Sequence, residues 1–449
     1  MSDGLTDGGA DDLEAYRTAA RAWLSAHLGP GDPSGVLRSQ GAASPAQLAR
    51  DRALQKQVYE AGYLGIAIPA EYGGQGLTSR HQRIWREESA RYAVPAPGGI
   101  ASHVTLGVVL PTILAHGSEE QKREWVPRML SGKEIWVQLL SEPGAGSDLA
   151  GVLTRATRDG DVWVLNGNKI WSSGAMSADY GICLARTDWD APKHRGLTWF
   201  KVPLHDARVT VRPVREINGG TDFCEEFLDG VPVGDDMVIG EVNAGWPIAN
   251  TMLAFERRGG DDQMAVRGSG ARRGLAPDLV ALAVSRGTTG LGSVRQLIAR
   301  AHINDFMQAQ LTKRLAEAMM SGRADAAAAS YIKLGVGILD PLRAAVAMEV
   351  AGRTGIGWPS SPAGAGSAGA GSAGAGSAGA GSAGAGEQPG RTAALNFLNG
   401  RIYSIAGGSN QIQRNIIGER LLGLPREPSV DADKPFREVL RDARTWGIT

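Results

Sequence analysis

The chain has 449 residues, with 47 basic and 47 acidic side chains, so its formal net charge is zero. No basic excess therefore points to nucleic acid or an anionic membrane surface. The two cysteines, Cys183 and Cys224, fit neither a disulfide framework nor a zinc site, and we expect no metal. The acidic start is unlike a signal peptide, and no apolar run reaches the roughly 20 residues of a membrane span, which predicts a cytoplasmic protein.

Residues 1–134 have the periodicity of helices. Apolar residues from Leu13 to Leu24 recur at three- and four-residue spacing, which indicates one buried helix face. Ser118 followed by two glutamates is typical of a helix start, and Gly132 of a helix end. We therefore predict an N-terminal helical domain over 1–134.

Residues 135–243 have the shorter period of strands. The apolar run 135–140 (IWVQLL) is followed by short alternating segments, with turns predicted at Asp159-Gly160 and Asn166-Gly167. Strand-like segments continue to about Val238, which predicts a central antiparallel β domain. Helical patterns return over 244–449, and the absence of βαβ alternation argues against a doubly wound sheet. The expected fold class is α+β, with several domains.

A low-complexity insert at about 359–390 repeats SAGAG with a period of five residues. It contains GAGSAG, which formally matches the dinucleotide-binding pattern GxGxxG, but the match recurs by repetition and no strand precedes it. Glycine, alanine and serine bury too little surface to offset their ordering entropy. We predict a disordered surface loop within the C-terminal helical region.

The loop at 141–151 (SEPGAGSDLAG) carries the first functional signal. Its glycines let backbone N–H groups approach a ligand closely, and it directly follows the apolar run. Composition alone leaves three interpretations open: a cradle for a flat polar cofactor, a phosphate site, or an ordinary tight loop.

Two further stretches narrow this choice. Residues 166–173 (NGNKIWSS) and 402–423 (IYSIAGGSNQIQRNIIGERLLG), read together with the loop, resemble the signatures of flavin-dependent acyl-CoA dehydrogenases. The resemblance implies an N-terminal helical domain, a central β domain and a C-terminal four-helix bundle. It also implies FAD bound between them and across a subunit interface. The implied partners are an acyl-CoA or carrier-bound thioester, an electron-transfer flavoprotein, and further subunits in a homodimer, homotetramer or hetero-oligomer.

The resemblance also assigns residues to the cofactor and the substrate. Leu140, Ser141, Trp171 and Ser173 are expected at the flavin ring, although Trp171 taken alone is also typical of a β-domain core. Further cofactor contacts are expected at Gly146, Ser147, Ser172, Arg286, Arg295, Gly352, Gly408, Ser409, Asn410 and Gln411. Substrate contacts are expected at Ser147, Arg257 and Gly407.

The position of the general base is where this chain differs from many members of the family. Many family members have a glutamate where this chain has Gly407, which cannot accept a proton. Other branches place the base on the first helix of the C-terminal domain, and Glu256 matches that position. A surface glutamate paired with Arg257 or Arg258 is the alternative interpretation. We expect Glu256 to be the base, in an apolar run that favours a raised pKa.

Three functions follow from these expectations. The first is an FAD-dependent acyl-CoA dehydrogenase that passes electrons to an electron-transfer flavoprotein. The second is an oxygen-using flavin oxidase or monooxygenase of the same fold. The third is a catalytically silent subunit of a hetero-oligomer, which Gly407 favours and Glu256 opposes.

Overall fold

The computed structural model describes residues 9–31, 44–96, 99–256, 276–356, 389–429 and 431–445. The N-terminal region is helical, as predicted. Ser118 accepts a hydrogen bond from Gln121 N, which confirms the predicted helix start. The helices are α1 (Ala10–His27), α2 (Pro45–Glu60), α3 (Ser79–Ser89), α4 (Ile100–Val104), α5 (Leu110–His116) and α6 (Glu119–Leu130), with a π-helical turn at Thr105–Val109 joining α4 to α5.

The central region is one sheet of eight strands. The strands are β1 (Trp136–Leu139), β2 (Arg155–Asp159), β3 (Val162–Ser173), β4 (Tyr180–Arg186), β5 (Leu197–Pro203), β6 (Val209–Pro213), β7 (Phe223–Gly234) and β8 (Val238–Ile239). Their spatial order is β6-β7-β3-β2-β4-β5-β8, and β1 pairs with β4. The sheet is largely antiparallel, as predicted, but β1 runs parallel to β4 and β2 makes one parallel contact with β4.

The turn predicted at Asn166-Gly167 is wrong. Both residues lie inside β3, which pairs with β7 along its length and shifts register between Leu165 and Asn166. A side chain at Gly167 would overlap Thr154, so the glycine permits close packing within the sheet. Asn166 Oδ1 accepts a hydrogen bond from Gly230 N. The Asn-Gly pair therefore lies opposite a β-bulge at Gly230 of β7, where the sequence predicted a hairpin turn.

The C-terminal region is helical, as predicted. The described part of its first helix, α7, spans 245–256. The other helices are α8 (Pro277–Ser285), α9 (Gly292–Met320), α10 (Ala329–Ala351), α11 (Arg353–Ile356), α12 (Pro389–Asn399), α13 (Asn410–Ile416) and α14 (Phe436–Thr445). Helices α8, α9, α10 and α12 share an apolar core that includes Leu279, Ile298, Val350 and Ala393. Pro389 and Gly390 begin α12; the rest of the predicted insert from 359 lies outside the described residues. Among the described helices, none combines the length and apolar character needed to cross a membrane.

Candidate functional site

A cavity of about 910 Å³ lies between the β domain and the C-terminal helices. Its wall combines the end of β1, the loop after it, the end of β3, one face of α7 and the segment before α13. The predicted residues that line it are Leu140, Ser141, Gly146, Ser147, Trp171, Ser172, Ser173, Glu256, Gly407, Gly408 and Ser409. Segments more than 250 residues apart in sequence therefore meet in one cavity.

The other predicted residues lie elsewhere in the chain. Asn410 and Gln411 lie outside the cavity lining, and Asn410 Nδ2 donates to Gly337 O of α10 at 3.2 Å. Arg286 ends α8, Arg295 lies in the first turn of α9, and Gly352 ends α10 with φ +56°. Their expected roles as cofactor contacts stay predictions. Arg257 lies outside the described residues.

A buried ion pair supports the loop after β1. Lys169 is fully buried and donates to Glu142 Oε1 at 2.8 Å, to Leu184 O at 2.7 Å and to Leu140 O at 3.1 Å. Burial raises the pKa of Glu142, but the Lys169 charge and hydrogen bonds outweigh it and lower that pKa overall. Glu142 therefore stays ionised and accepts from the backbone N–H groups of Leu153 and Thr154. These contacts hold Leu140 and the loop at the cavity edge.

Trp171 adopts an unusual backbone conformation at the end of β3. Its φ is +70°, and a register shift between Ile170 and Ser172 marks a second bulge. A positive φ is strained for a large side chain, and such strain often occurs at functional sites. The side chain is 54% exposed and packs edge-on against Phe223, with ring centroids 5.8 Å apart. The bulge thus directs an indole ring into the cavity, rather than into the core.

The neighbouring Ser172 has a buried acid behind it. Ser172 Oγ donates a short hydrogen bond to Glu226 Oε1, while Glu226 Oε2 has no hydrogen-bond partner among the described residues. Burial, with a smaller contribution from the charge of Glu225, raises the pKa of Glu226 to about 8. At neutral pH this carboxyl is therefore largely protonated.

Two glycines bring the segment before α13 close to α7. Gly407 and Gly408 have φ values of +67° and +91°, a region that strongly favours glycine. A Cβ on Gly407 would lie 3.7 Å from Glu256 Oε1, and one on Gly408 would lie 2.5 Å from Gln413 Nε2. The carboxylate of Glu256 therefore reaches the space beside position 407 that a side chain there would enter.

The wall also contains polar groups suited to a flat heterocycle. Within the described ranges, Gln138 Nε2 and Gln413 Oε1 are buried in this wall without hydrogen-bond partners. Buried polar groups are rarely left unpaired, so both atoms indicate a bound polar molecule. Together with the hydroxyls of Ser141 and Ser173 and the Trp171 ring, they suit the polar edge and the face of a flavin.

Sequence reasoning missed several lining residues. Gln138 belongs to the apolar run before the loop, and its alternation with Val137 and Leu139 was a signal that one polar side chain leaves the core. His194 and Trp246, whose rings pack edge-to-face 4.6 Å apart, join the cavity through tertiary contact alone. No local pattern would have found that pair.

Comparison with known proteins agrees with this architecture. Residues 10–133 match the model of the acyl-CoA dehydrogenase N-terminal domain, and residues 138–231 match that of the middle domain. The acyl-CoA dehydrogenase IpdE1 of Mycobacterium tuberculosis is 33% identical over 420 residues, which cover 93% of this chain and 99% of IpdE1. FadE34 of the same organism, also an acyl-CoA dehydrogenase, is 37% identical over 394 residues, 87% of this chain but 49% of FadE34.

The chain thus spans about half the length of one relative and nearly all of another. A solved structure described as "Tcur3481-Tcur3483 steroid ACAD" is 30% identical with a TM-score of 0.70, over 93% of this chain and 99% of that chain. The fold, the order of the motifs and these matches agree. The chain belongs to the acyl-CoA dehydrogenase family.

Proposed function

We propose that this chain catalyses FAD-dependent α,β-dehydrogenation of an acyl-CoA thioester, with Glu256 as the base that removes the α-proton. The observation that carries the proposal is the position of the Glu256 carboxylate, whose Oε1 lies 3.7 Å from where a Cβ at Gly407 would be. A carboxylate on α7 thereby enters the space next to position 407, where many family members carry their glutamate. The missing glutamate at 407 is thus compatible with an active enzyme.

Glu256 has surroundings that suit a base. It lies in the same cavity wall as Leu253 and Ile405, on a helix whose adjacent Met252 is fully buried. From this wall the carboxylate can reach an α-C–H bond of a thioester bound in the cavity, and such reach is the first requirement of a general base. When Glu256 accepts the α-proton, the electron pair of the broken C–H bond stays on the α-carbon. This pair forms the new double bond as the β-hydrogen departs as hydride.

Several residues would hold the cofactor. Ser141, Trp171 and Ser173 line the cavity and would contact the ring, and Gln138 Nε2 and Gln413 Oε1, which have no hydrogen-bond partners among the described residues, would supply further hydrogen-bonding groups. Gly408 and Ser409 offer close backbone approach on the C-terminal side. The chemistry that FAD supplies when bound is acceptance of the hydride from the β-carbon.

The decisive experiment is anaerobic titration of the purified flavoprotein with a panel of acyl-CoA thioesters. The panel includes fatty, branched and steroid-linked acyl groups, the last because one similar structure is described as a steroid enzyme. We expect loss of the visible flavin band with at least one thioester. Glu256→Gln should retain FAD and slow this bleaching by 10³-fold or more, because an amide cannot accept the proton; general-base catalysis alone typically contributes about 10² to 10⁴.

Glu60→Gln, an exposed glutamate at the end of α2, is the matched control and should bleach at the wild-type rate. Normal bleaching of Glu256→Gln would contradict the assignment of the base. A chain that binds no flavin would favour the silent-subunit function. Rapid reoxidation in air would favour the oxidase, and reoxidation by an electron-transfer flavoprotein would favour the dehydrogenase.

A further inference from the structure

We propose that Lys333 is a positioning residue for the base: its buried ammonium group holds Glu256 in the ionised, proton-accepting form next to Gly407. The inference rests on the proposed function, because it assigns a partner to the base proposed there. It gives a role to a charged residue of α10 that lies outside every motif of the sequence.

The geometry places three groups together. A Cβ on Gly407 would lie 3.2 Å from Lys333 Cε and 3.7 Å from Glu256 Oε1, so these two atoms lie within about 7 Å of each other. Lys333 is 7% exposed, and its Nζ donates to Tyr403 O at 2.7 Å. The ammonium therefore lies underneath the 403–408 segment, on the side where the Glu256 carboxylate approaches it.

The location is costly for a lysine. Burial lowers the pKa of Lys333, while the charges of Glu256 and Asp340 raise it and partly compensate. A carbonyl acceptor alone would be satisfied by any neutral donor, so it does not account for a charged group at this position. The nearby carboxylate does, because opposite charges in a poorly solvated site stabilise each other's ionised forms.

Other charged groups lie near this pair. Asp340, about two helical turns beyond Lys333 on α10, also interacts with the lysine and competes for its charge. The other titratable or charged side chains in the cavity wall are Asp148, His194, Arg215, Glu216 and Arg420. Of the described cationic residues, Lys333 is the one whose side chain contacts the space at Gly407. The proposal therefore predicts an effect specific to its charge.

The test separates proton removal from oxidation. A thioester with α-hydrogens but no β-hydrogen, 3,3-dimethylbutyryl-CoA, can lose its α-proton but cannot transfer a hydride. Exchange of its α-hydrogens with D₂O, measured by mass spectrometry on the FAD-loaded enzyme as a function of pH, reports the base directly. Lys333→Met removes the charge with similar length, Lys333→Arg retains it, and Lys313→Met changes an exposed lysine of α9 as a control.

We expect Lys333→Met to move the acidic midpoint of exchange upward by about one pH unit or more, since a neighbouring opposite charge typically lowers the pKa of a carboxyl by about one to three units. Lys333→Arg should restore most of the wild-type midpoint, Lys313→Met should leave it unchanged, and the KM for an oxidisable thioester should change little. If Lys333→Met does not fold, Lys333→Gln provides a second neutral variant.

An unchanged midpoint in the neutral variant, or an arginine variant as impaired as the neutral one, would overturn the proposal. Loss of exchange at every pH without a shift would do the same, because it would show a structural role only. Glu256→Gln keeps the two proposals apart. If it exchanges normally, the base assignment fails and the lysine proposal with it; if it does not exchange, the Lys333 variants decide the lysine alone.

Discussion

Glu226 shows how one buried side chain can make the stability of this protein depend on pH. It is fully buried, and burial raises its pKa from the ordinary value of 4.5 to about 8. Because the folded-state pKa exceeds the unfolded one, its contribution to stability is complete below pH 4.5 and is lost as pH rises through about 8. The full effect is on the order of 3–5 kcal/mol, since one pKa unit corresponds to about 1.4 kcal/mol.

Glu226→Gln should remove this dependence. Between pH 5 and pH 9 the wild type should lose unfolding free energy through Glu226, and the variant should not. The difference in unfolding free energy, variant minus wild type, should therefore rise over this range by an amount approaching that estimate. Urea unfolding at both pH values measures the difference, in which the other titrating groups cancel. Glu317→Gln, exposed on α9, is the control and should follow the wild-type curve. Parallel curves for the wild type and Glu226→Gln would contradict the prediction.

Some of these residues could be predicted from the sequence, and others could not, for a physical reason. Gly407 and Glu256 stand at recognisable motif positions, so their relationship could be predicted before the structure. Glu226 alternates with the buried Cys224 and Leu228, a period of two that is typical of one buried strand face, but its charge gives no sign that it lies on that face. Lys333 has no local signal, because its role depends on a contact with a segment 70 residues away.

At the scale of elements, α14 supports the cavity from outside. Phe436 is buried against Arg186, whose guanidinium lies 3.8 Å from the ring centroid. Arg186 donates to Ala150 O at 2.5 Å and to Lys193 O at 3.1 Å, two segments adjoining the cavity residues Asp148, Leu149 and His194. The ring therefore shields a buried cation that joins two parts of the wall. Nothing in the sequence indicated this connection between the C-terminus and the β domain.

Phe436→Ala should uncouple α14 from the wall. The lost packing costs about 3 kcal/mol locally, and the freed Arg186 would be hydrated, which loosens the Ala150 turn. We expect the KM for the thioester to rise several-fold with a smaller change in kcat, together with faster proteolysis near the C-terminus. Arg441→Ala, an exposed position on the same helix, should leave both properties unchanged. Unchanged KM and proteolysis in Phe436→Ala would refute the connection.

At the scale of the whole molecule, the helix–β–helix order followed from the change of hydrophobic period alone. The period distinguishes the regions because a strand with one buried face buries every second residue, whereas a helix buries residues three or four apart. It did not reveal that β1 joins the sheet in parallel to β4, nor that β3 continues through its Asn-Gly pair. Both features depend on which strand lies next to which, and neighbouring residues in sequence carry little information about that.

An exposed apolar face of α9 predicts where two subunits meet. The α9 stripe, defined as Ile303, Phe306, Met307 and Leu311, lies on one helix face, and each of its residues is exposed in the single chain. Contiguous exposed apolar surface on a globular protein usually marks an interface. We expect this stripe to be covered by a second subunit, in keeping with the oligomer that the family resemblance implies.

Phe306→Asp should therefore dissociate the assembly. The side chain is 58% exposed in the single chain, so the substitution leaves the subunit fold intact but places a charge in the contact. Light scattering after size-exclusion chromatography should show a fall in mass of at least twofold, and the visible flavin absorbance per chain should fall with it if FAD bridges two subunits. Val94→Asp, an exposed apolar residue of the N-terminal region, should keep the wild-type mass.

A monomeric wild type, or an unchanged mass in Phe306→Asp, would show that the α9 stripe is not the contact between subunits. If Phe306→Asp dissociates but keeps its flavin content, each chain holds its cofactor alone.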